Sequence, residues 1–286
     1  MNETLDRRSH AYRPDLADLR LKDRVTAAAY AEGAAAHVAV PVADIRPRPD
    51  PECGIDTQAL YGEALTVFDT AEGWAWVQLQ ADGYVGYVPQ DAIREGASGA
   101  THVVAVPRTI LYPGADLRFP HRAALSMGSR VRVTGAAETR GTPYALLDDG
   151  AAMIAAHLRP IGENAPEDAV AVAARFLHTP YLWGGRSGFG IDCSGLVQMA
   201  LAMTGTPAPR DSDQQGAALG TVIDPAQDGL RRGDLVFWKG HVGILEDPET
   251  LLHASGGTMS VTREPLQAAI DRIARLYGAP TRYRRP

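Results

Sequence analysis

The stretch GIDCSGLVQMAL, residues Gly190–Leu201, sets a cysteine between an aspartate and a serine at the head of an apolar run. Leu196, Val197, Ala200 and Leu201 recur at helical spacing and Gly205 stops the run, so the pattern predicts a helix opening at Cys193. Unpaired backbone N–H groups and the helix dipole at such a start favour the thiolate, the nucleophilic form of cysteine. Asp192 falls where it can cap the same helix. Four readings of Cys193 are open at this point: a small buried hydrophobe, half of a disulfide, a metal ligand or a nucleophile.

The neighbouring segments narrow them. Upstream, PEDAVAVAARFLHTP carries Pro166 at a first helical position, acids in the first turn, Val170, Ala173, Ala174 and Leu177 on one face, and Pro180 as the stop. Downstream, GDLVFW, HVGILED, TLLHAS and MSVTRE read as strands. Helices followed by an antiparallel sheet make an α+β domain. A thiol nucleophile needs a base, usually histidine. Of eight histidines, His241 stands where a glycine turn enters a buried strand, and His253 lies near the end of the next strand. Antiparallel pairing brings the two side by side, so that one imidazole can orient the other. His157 and His178 read as ordinary surface or C-terminal residues, and His10, His37, His102 and His121 lie outside these segments.

The competing readings have less behind them. Cys53 is the only other cysteine, and a disulfide is not expected in a reducing compartment. Zinc accepts a Cys193, His241, His253 set, but neither Cys-x-x-Cys nor His-Glu-x-x-His spacing accompanies it. The opening MNETLDRRSHAYRPD is charged and shows no signal peptide, and no apolar run approaches the ~20 residues of a membrane span. A protein of the cytoplasm is expected. A net charge of −6 argues against a nucleic-acid binder, and the basic tail TRYRRP reads as a frayed end.

With 286 residues, the chain has room for two or three units. Residues 1–36 show no strong period and read as an N-terminal arm. From about His37 to Pro160, short alternating runs such as LTVF and WAWVQL are broken by Gly, Pro and Asp, as in small β-barrels. VAVPVADIRPRPD from Val38 and VVAVPRTILYPGAD from Val103 form a weak repeat offset by about 65 residues, one small barrel each. The expected boundaries are 37–97, 98–160 and 161–286.

TPYLWGGRSGFGIDCSGLVQMAL, RRGDLVFWKGHVGIL and LLHASG resemble the three signature blocks of the NlpC-type cysteine peptidases, papain-like enzymes that cut bacterial cell-wall peptides. LYGEALTVFDTAEGWAWVQLQADGYVGYVP resembles the bacterial SH3 domain, and residues 98–160 match it less well. The resemblance implies an α+β papain-like catalytic domain preceded by two small all-β SH3-like barrels. It implies Cys193 as nucleophile, His241 as base, His253 as orienter and Tyr181 near the oxyanion, with no cofactor required. Two SH3-like units narrow the similarity to the γ-D-glutamyl-L-diamino acid endopeptidases, which trim murein peptides with a free N-terminal L-alanine. The matching positions for the substrate's ammonium group are Asp56, where many members carry Glu, Tyr84 and Asp192. Ser194 and, from APRDSDQQ, Arg210, Asp211 and Ser212 match further substrate-facing positions. A murein tripeptide is the implied partner and cell-wall peptide recycling the implied role. Rivals are a broader peptidase, amidase or acyltransferase with the same site, or a non-catalytic cell-wall binding protein.

Overall fold

Turn residues and alternating apolar strands in the first half, and helical spacing followed by strands in the second, give two differently built units. The computed structural model describes residues 5–286. The chain divides between Ile161 and Gly162 into two compact units.

In the β-rich unit, five antiparallel strands lie in the order Val85–Pro89, Trp74–Leu79, Ala64–Ala71, Ala34–Val38 and Ile93–Glu95. A hairpin of Val42–Ile45 and Thr57–Leu60 joins them through an Arg46–Tyr87 bridge. Alternate residues turn inward to a core of Val38, Ile45, Leu65, Val77, Leu79 and Val88. A related succession of strands recurs about 65 residues later, there as two three-stranded sheets, one of Arg130–Val131, His102–Val104 and Leu158–Pro160 and one of Val133–Thr139, Thr142–Leu147 and Ala152–Ile154. There the hairpin is Arg108–Leu111 with Ala123–Ser126, the bridge is Tyr112–Ala152, and Val104, Leu111, Leu125, Val131, Leu147 and Met153 form a separate core. The two halves meet where Arg130 N–H donates to Tyr61 O at 2.7 Å. A side chain at Gly62, whose φ is +73°, would drive into the Arg130 carbonyl there.

The first described residues bond the first sheet: Val85 N–H donates to Arg8 O at 2.8 Å, and Gln78 Nε2 donates to Ser9 O at 3.0 Å. The Arg13 guanidinium covers the Trp76 ring at 4.4 Å, bonds Asp69 at 2.7 Å and reaches the Tyr87 hydroxyl at 3.1 Å.

The second unit holds a six-stranded antiparallel sheet. Its order is Thr221–Ile223, Arg282–Arg285, Leu235–Trp238, His241–Asp247, Thr250–Ser255 and Ser260–Pro265. The helix Cys193–Met203 packs on the His241 strand, and all of its residues but Ala202 are buried. The four expected strands are present. The upstream helix is shorter than its spacing predicts: it runs Ala169–Ala174 and is capped by Asp168, leaving Pro166 outside. Val172, within the helix, and Phe176, in the turns beyond it, are also buried.

The tail corrects the frayed-end expectation. Arg282–Arg285 is an inner strand, bonded on both edges. Its arginines have partners: Arg285 grips the buried Asp234 at 2.8 Å, and Arg284 donates to the carbonyls of Gly216, Ala217, Leu219 and Gly220 at the end of helix Ser212–Ala218. Helix Leu266–Tyr277 was not expected either, although Leu266, Ala269 and Ile273 are buried at helical spacing. Among the described residues no helix is long and apolar enough to cross a membrane.

Candidate active site

Cys193 begins its helix as predicted, and Asp192 caps it: Asp192 Oδ1 accepts from Gly195 N–H at 2.7 Å. Asp192 is bound from every side. Arg210 meets both oxygens, at 3.0 and 2.6 Å, and Gly184 N–H reaches Oδ2 at 3.0 Å. Arg210 is 1% exposed and also donates to Ser194 Oγ at 2.9 Å and Gly185 O at 3.3 Å. Its guanidinium thus joins the residues on either side of the nucleophile, Asp192 and Ser194. Gly184 (φ +73°) makes the turn that aims its N–H at Asp192, and a side chain at Gly195 would collide with Gly185 O. That is why glycine stands at these points.

The His241 strand runs beside the Cys193 helix, and the Val242 N–H points at the Cys193 sulfur. His241 Nε2 lies 2.8 Å from His253 Nδ1. His253 Nε2 in turn lies 2.8 Å from Glu264 Oε1, which also pairs with Arg272 on the last helix. Trp238 covers the His241 ring, centroid to centroid 5.6 Å. The expected adjacency of the two histidines is present. Glu264, Arg272 and Trp238 were not singled out from sequence. Glu264 stands in a predicted strand at a position facing His253, but only the pairing of the two strands reveals it. Gln215, also not singled out, carries the backbone around the nucleophile: its Nε2 donates to Ser194 O at 3.0 Å and Pro209 O at 2.9 Å.

Electrostatics at the site favour a neutral resting pair. Burial first, and then the Asp192 charge, push the Cys193 thiol up to about 12, against the Val242 and Ser194 N–H groups and Arg210. The helix start alone pointed the other way. Burial, with lesser effects from His253 and Arg272, brings His241 down to about 3. The hydrogen bond to His253, then that to Arg272, holds Glu264 down to about 2 although burial opposes them. Burial and then the neighbouring Cys193 raise the Tyr181 phenol.

A cleft of about 450 Å³ opens over these groups, walled by Tyr181, Trp183, His241, His253, Arg272 and Tyr277. Trp183 is 68% exposed on that wall. Asp211 occupies the cap position of helix Ser212–Ala218, and both it and Ser212 are half-buried. Asp56 and Tyr84 belong to the β-rich unit. There Asp56 N–H donates to Ile45 O, and Tyr84 is buried in the core of the first sheet. Cys53 and Cys193 are both free thiols, and among the described residues no three acidic, cysteine or histidine groups are disposed to hold a metal.

A buried thiol at a helix start, on a strand that begins with an oriented imidazole, is the layout of a papain-like cysteine peptidase. Residues 178–273 match the NlpC/P60 family and residues 45–93 match the bacterial dipeptidyl-peptidase Sh3 domain, so the chain carries an NlpC/P60 domain preceded by a bacterial SH3 domain. It is 28% identical over 244 residues to a gamma-D-glutamyl-L-lysine dipeptidyl-peptidase of Bacillus cereus, covering 74% of this chain and 71% of that one. It is 27% identical to dipeptidyl-peptidase 6 of Lysinibacillus sphaericus, covering 76% of this chain and 86% of that one. A crystal structure of an NlpC/P60 family protein from Bacillus cereus superposes with a TM-score of 0.73 at 23% identity, covering 88% of this chain and 99% of that one, and shares its fold.

Proposed function

We propose that this peptidase hydrolyses the γ-D-Glu–diamino acid bond of short murein peptides with a free N-terminal L-alanine. The observation that carries the reading is the 2.8 Å bond between His241 Nε2 and His253 Nδ1, on a strand whose next N–H faces Cys193. The names of the two relatives aligned over most of this chain support the substrate class.

Cys193 attacks the γ-carbonyl as His241 takes its proton. The developing oxyanion is met by backbone N–H groups beside Cys193 and by Tyr181. His241 then protonates the leaving amine, and water, deprotonated by His241, releases the thioester. Asp192 takes the substrate's ammonium group; Asp56 and Tyr84 are assigned to that group by resemblance, and Ser194, Asp211 and Ser212 to the rest of the dipeptide. The related succession of strands supports reading 37–97 and 98–160 as two SH3-like domains, behind an arm of 1–36 and ahead of a peptidase domain at 161–286. Two free thiols suit the reducing cytoplasm, where a peptide-recycling enzyme would work.

Incubation with L-Ala-γ-D-Glu-diamino acid tripeptide, followed by mass spectrometry, is expected to show L-Ala-γ-D-Glu and the free diamino acid, with both lost in Cys193→Ala. Turnover only of N-blocked or glycan-linked peptides would overturn the proposal.

A further inference from the structure

The chain His241–His253–Glu264–Arg272 extends beyond a nucleophile, a base and an orienter, and its proton positions follow from its chemistry. A carboxylate only accepts hydrogen bonds, so the proton between His253 Nε2 and Glu264 Oε1 belongs to His253. Neutral His253 then has a bare Nδ1, which can only accept. The proton between the rings therefore belongs to His241 Nε2. His241 is left with a bare Nδ1, the nitrogen able to take a proton from a thiol.

We propose that Glu264 is a positioning residue that sets the tautomer of His241 through His253, keeping the base in the form able to deprotonate Cys193. This rests on the assignment of His241 as base. His253 is 1% exposed, so water does not compete for its ring nitrogens. Arg272 engages the same carboxylate and keeps it an ionised acceptor. The other charged or titratable groups around the chain are Cys193 and Asp192 at the helix start, and Lys239, Tyr181 and Tyr277 in the cleft. Glu264 is the carboxylate that bonds the His253 ring. When His241 takes the thiol proton, the negative charge of Glu264 also favours the resulting cation.

Arg272 and His253 meet the same Glu264 oxygen, so in Glu264→Gln the amide oxygen keeps that place and the tautomer stands, whereas Glu264→Leu removes the acceptor. In Glu264→Leu nothing holds the His253 proton on Nε2, and the pair also carries Nδ1–H on both rings, with the His241 proton facing the thiol. The expected result for Glu264→Leu is a fall of about 10²–10⁴-fold in kcat/KM on the tripeptide, carried by kcat, with an unchanged circular dichroism spectrum. Glu264→Asp, still a carboxylate, should restore part of it. Glu246→Gln, which changes a carboxylate paired with Arg263 away from the histidines, is the control.

Two-bond ¹H–¹⁵N spectra of the full chain give a readout independent of turnover. Wild type and Glu264→Gln are expected to show Nε2–H on both rings, and Glu264→Leu to show Nδ1–H. A wild type with Nδ1–H on either histidine overturns the proposal, as does a Glu264→Leu protein with wild-type rate. Lost activity with an unchanged tautomer also overturns it, since Glu264 would then be merely structural. Failure of wild type to cut the tripeptide strikes the substrate assignment instead, because the spectra stand without it.

Discussion

Cys193 sits at a helix start that favours its anion and beside an aspartate that opposes it. Burial decides between them, and the thiol rests protonated next to a neutral imidazole. The proton therefore moves during attack rather than before it. Iodoacetamide should modify Cys193 more slowly at pH 7.5 than it modifies a free cysteine, with a rate still climbing at alkaline pH where that of a free cysteine has levelled off, read by mass spectrometry. The same groups make the fold acid-sensitive. His241 is brought down to about 3 from its ordinary 6.5, so between those values the unfolded chain binds a proton that the folded chain refuses. The stability from keeping it neutral is complete above about 6.5 and is lost as pH falls toward 3. Glu264, held down to about 2 from an ordinary 4.5, stabilises above 4.5 and loses that contribution as pH falls through the window below. Urea midpoints measured from pH 7 to pH 3 should fall, and Glu264→Gln should lose less than wild type below pH 4.5.

At the scale of elements, the turn before the Cys193 helix is held by one ion pair. Asp192 caps the helix, pins Gly184 and meets Arg210, so the pair fixes both sides of the nucleophile. Removing one partner of a buried pair leaves the other charge uncompensated. Arg210→Met should cost roughly 3–5 kcal/mol in urea unfolding. The Asp192→Asn, Arg210→Met double variant should lose less than the sum of the two single changes. Much of this site was legible: Asp-Cys-Ser-Gly gave the cap and the thiol, and the strand patterns around His241 and His253 put them on neighbouring strands. Arg210 was named without its ion pair, because that contact depends on how 185, 192, 194 and 210 come together. Glu264 was missed for the same reason, since strand pairing rather than local pattern brings it to His253.

At the scale of the whole molecule, the change from period 2 to helical spacing near residue 161 was readable, and so was the repeat in the β-rich unit. The tail was not. Four residues with three arginines look solvated until Asp234 and the carbonyl ends of the Ser212–Ala218 helix are in place to receive them. Deleting residues 282–286 removes the bonds on both edges of an inner strand and leaves Asp234 without its cation. The expected outcome is loss of folded catalytic unit and rapid trypsin cleavage after residue 161, while the β-rich unit survives. Retained peptidase activity would refute this.

That inner strand also sets a timetable. The ribosome delivers residues 235–265, with both histidines, before it makes Arg282–Arg285, so the meander can pair while Thr221–Ile223 still has no neighbour. The thiol and its base are thus made early, in a sheet that stays open until its middle is filled last. A nascent chain thus carries every active-site residue before that inner strand is in place.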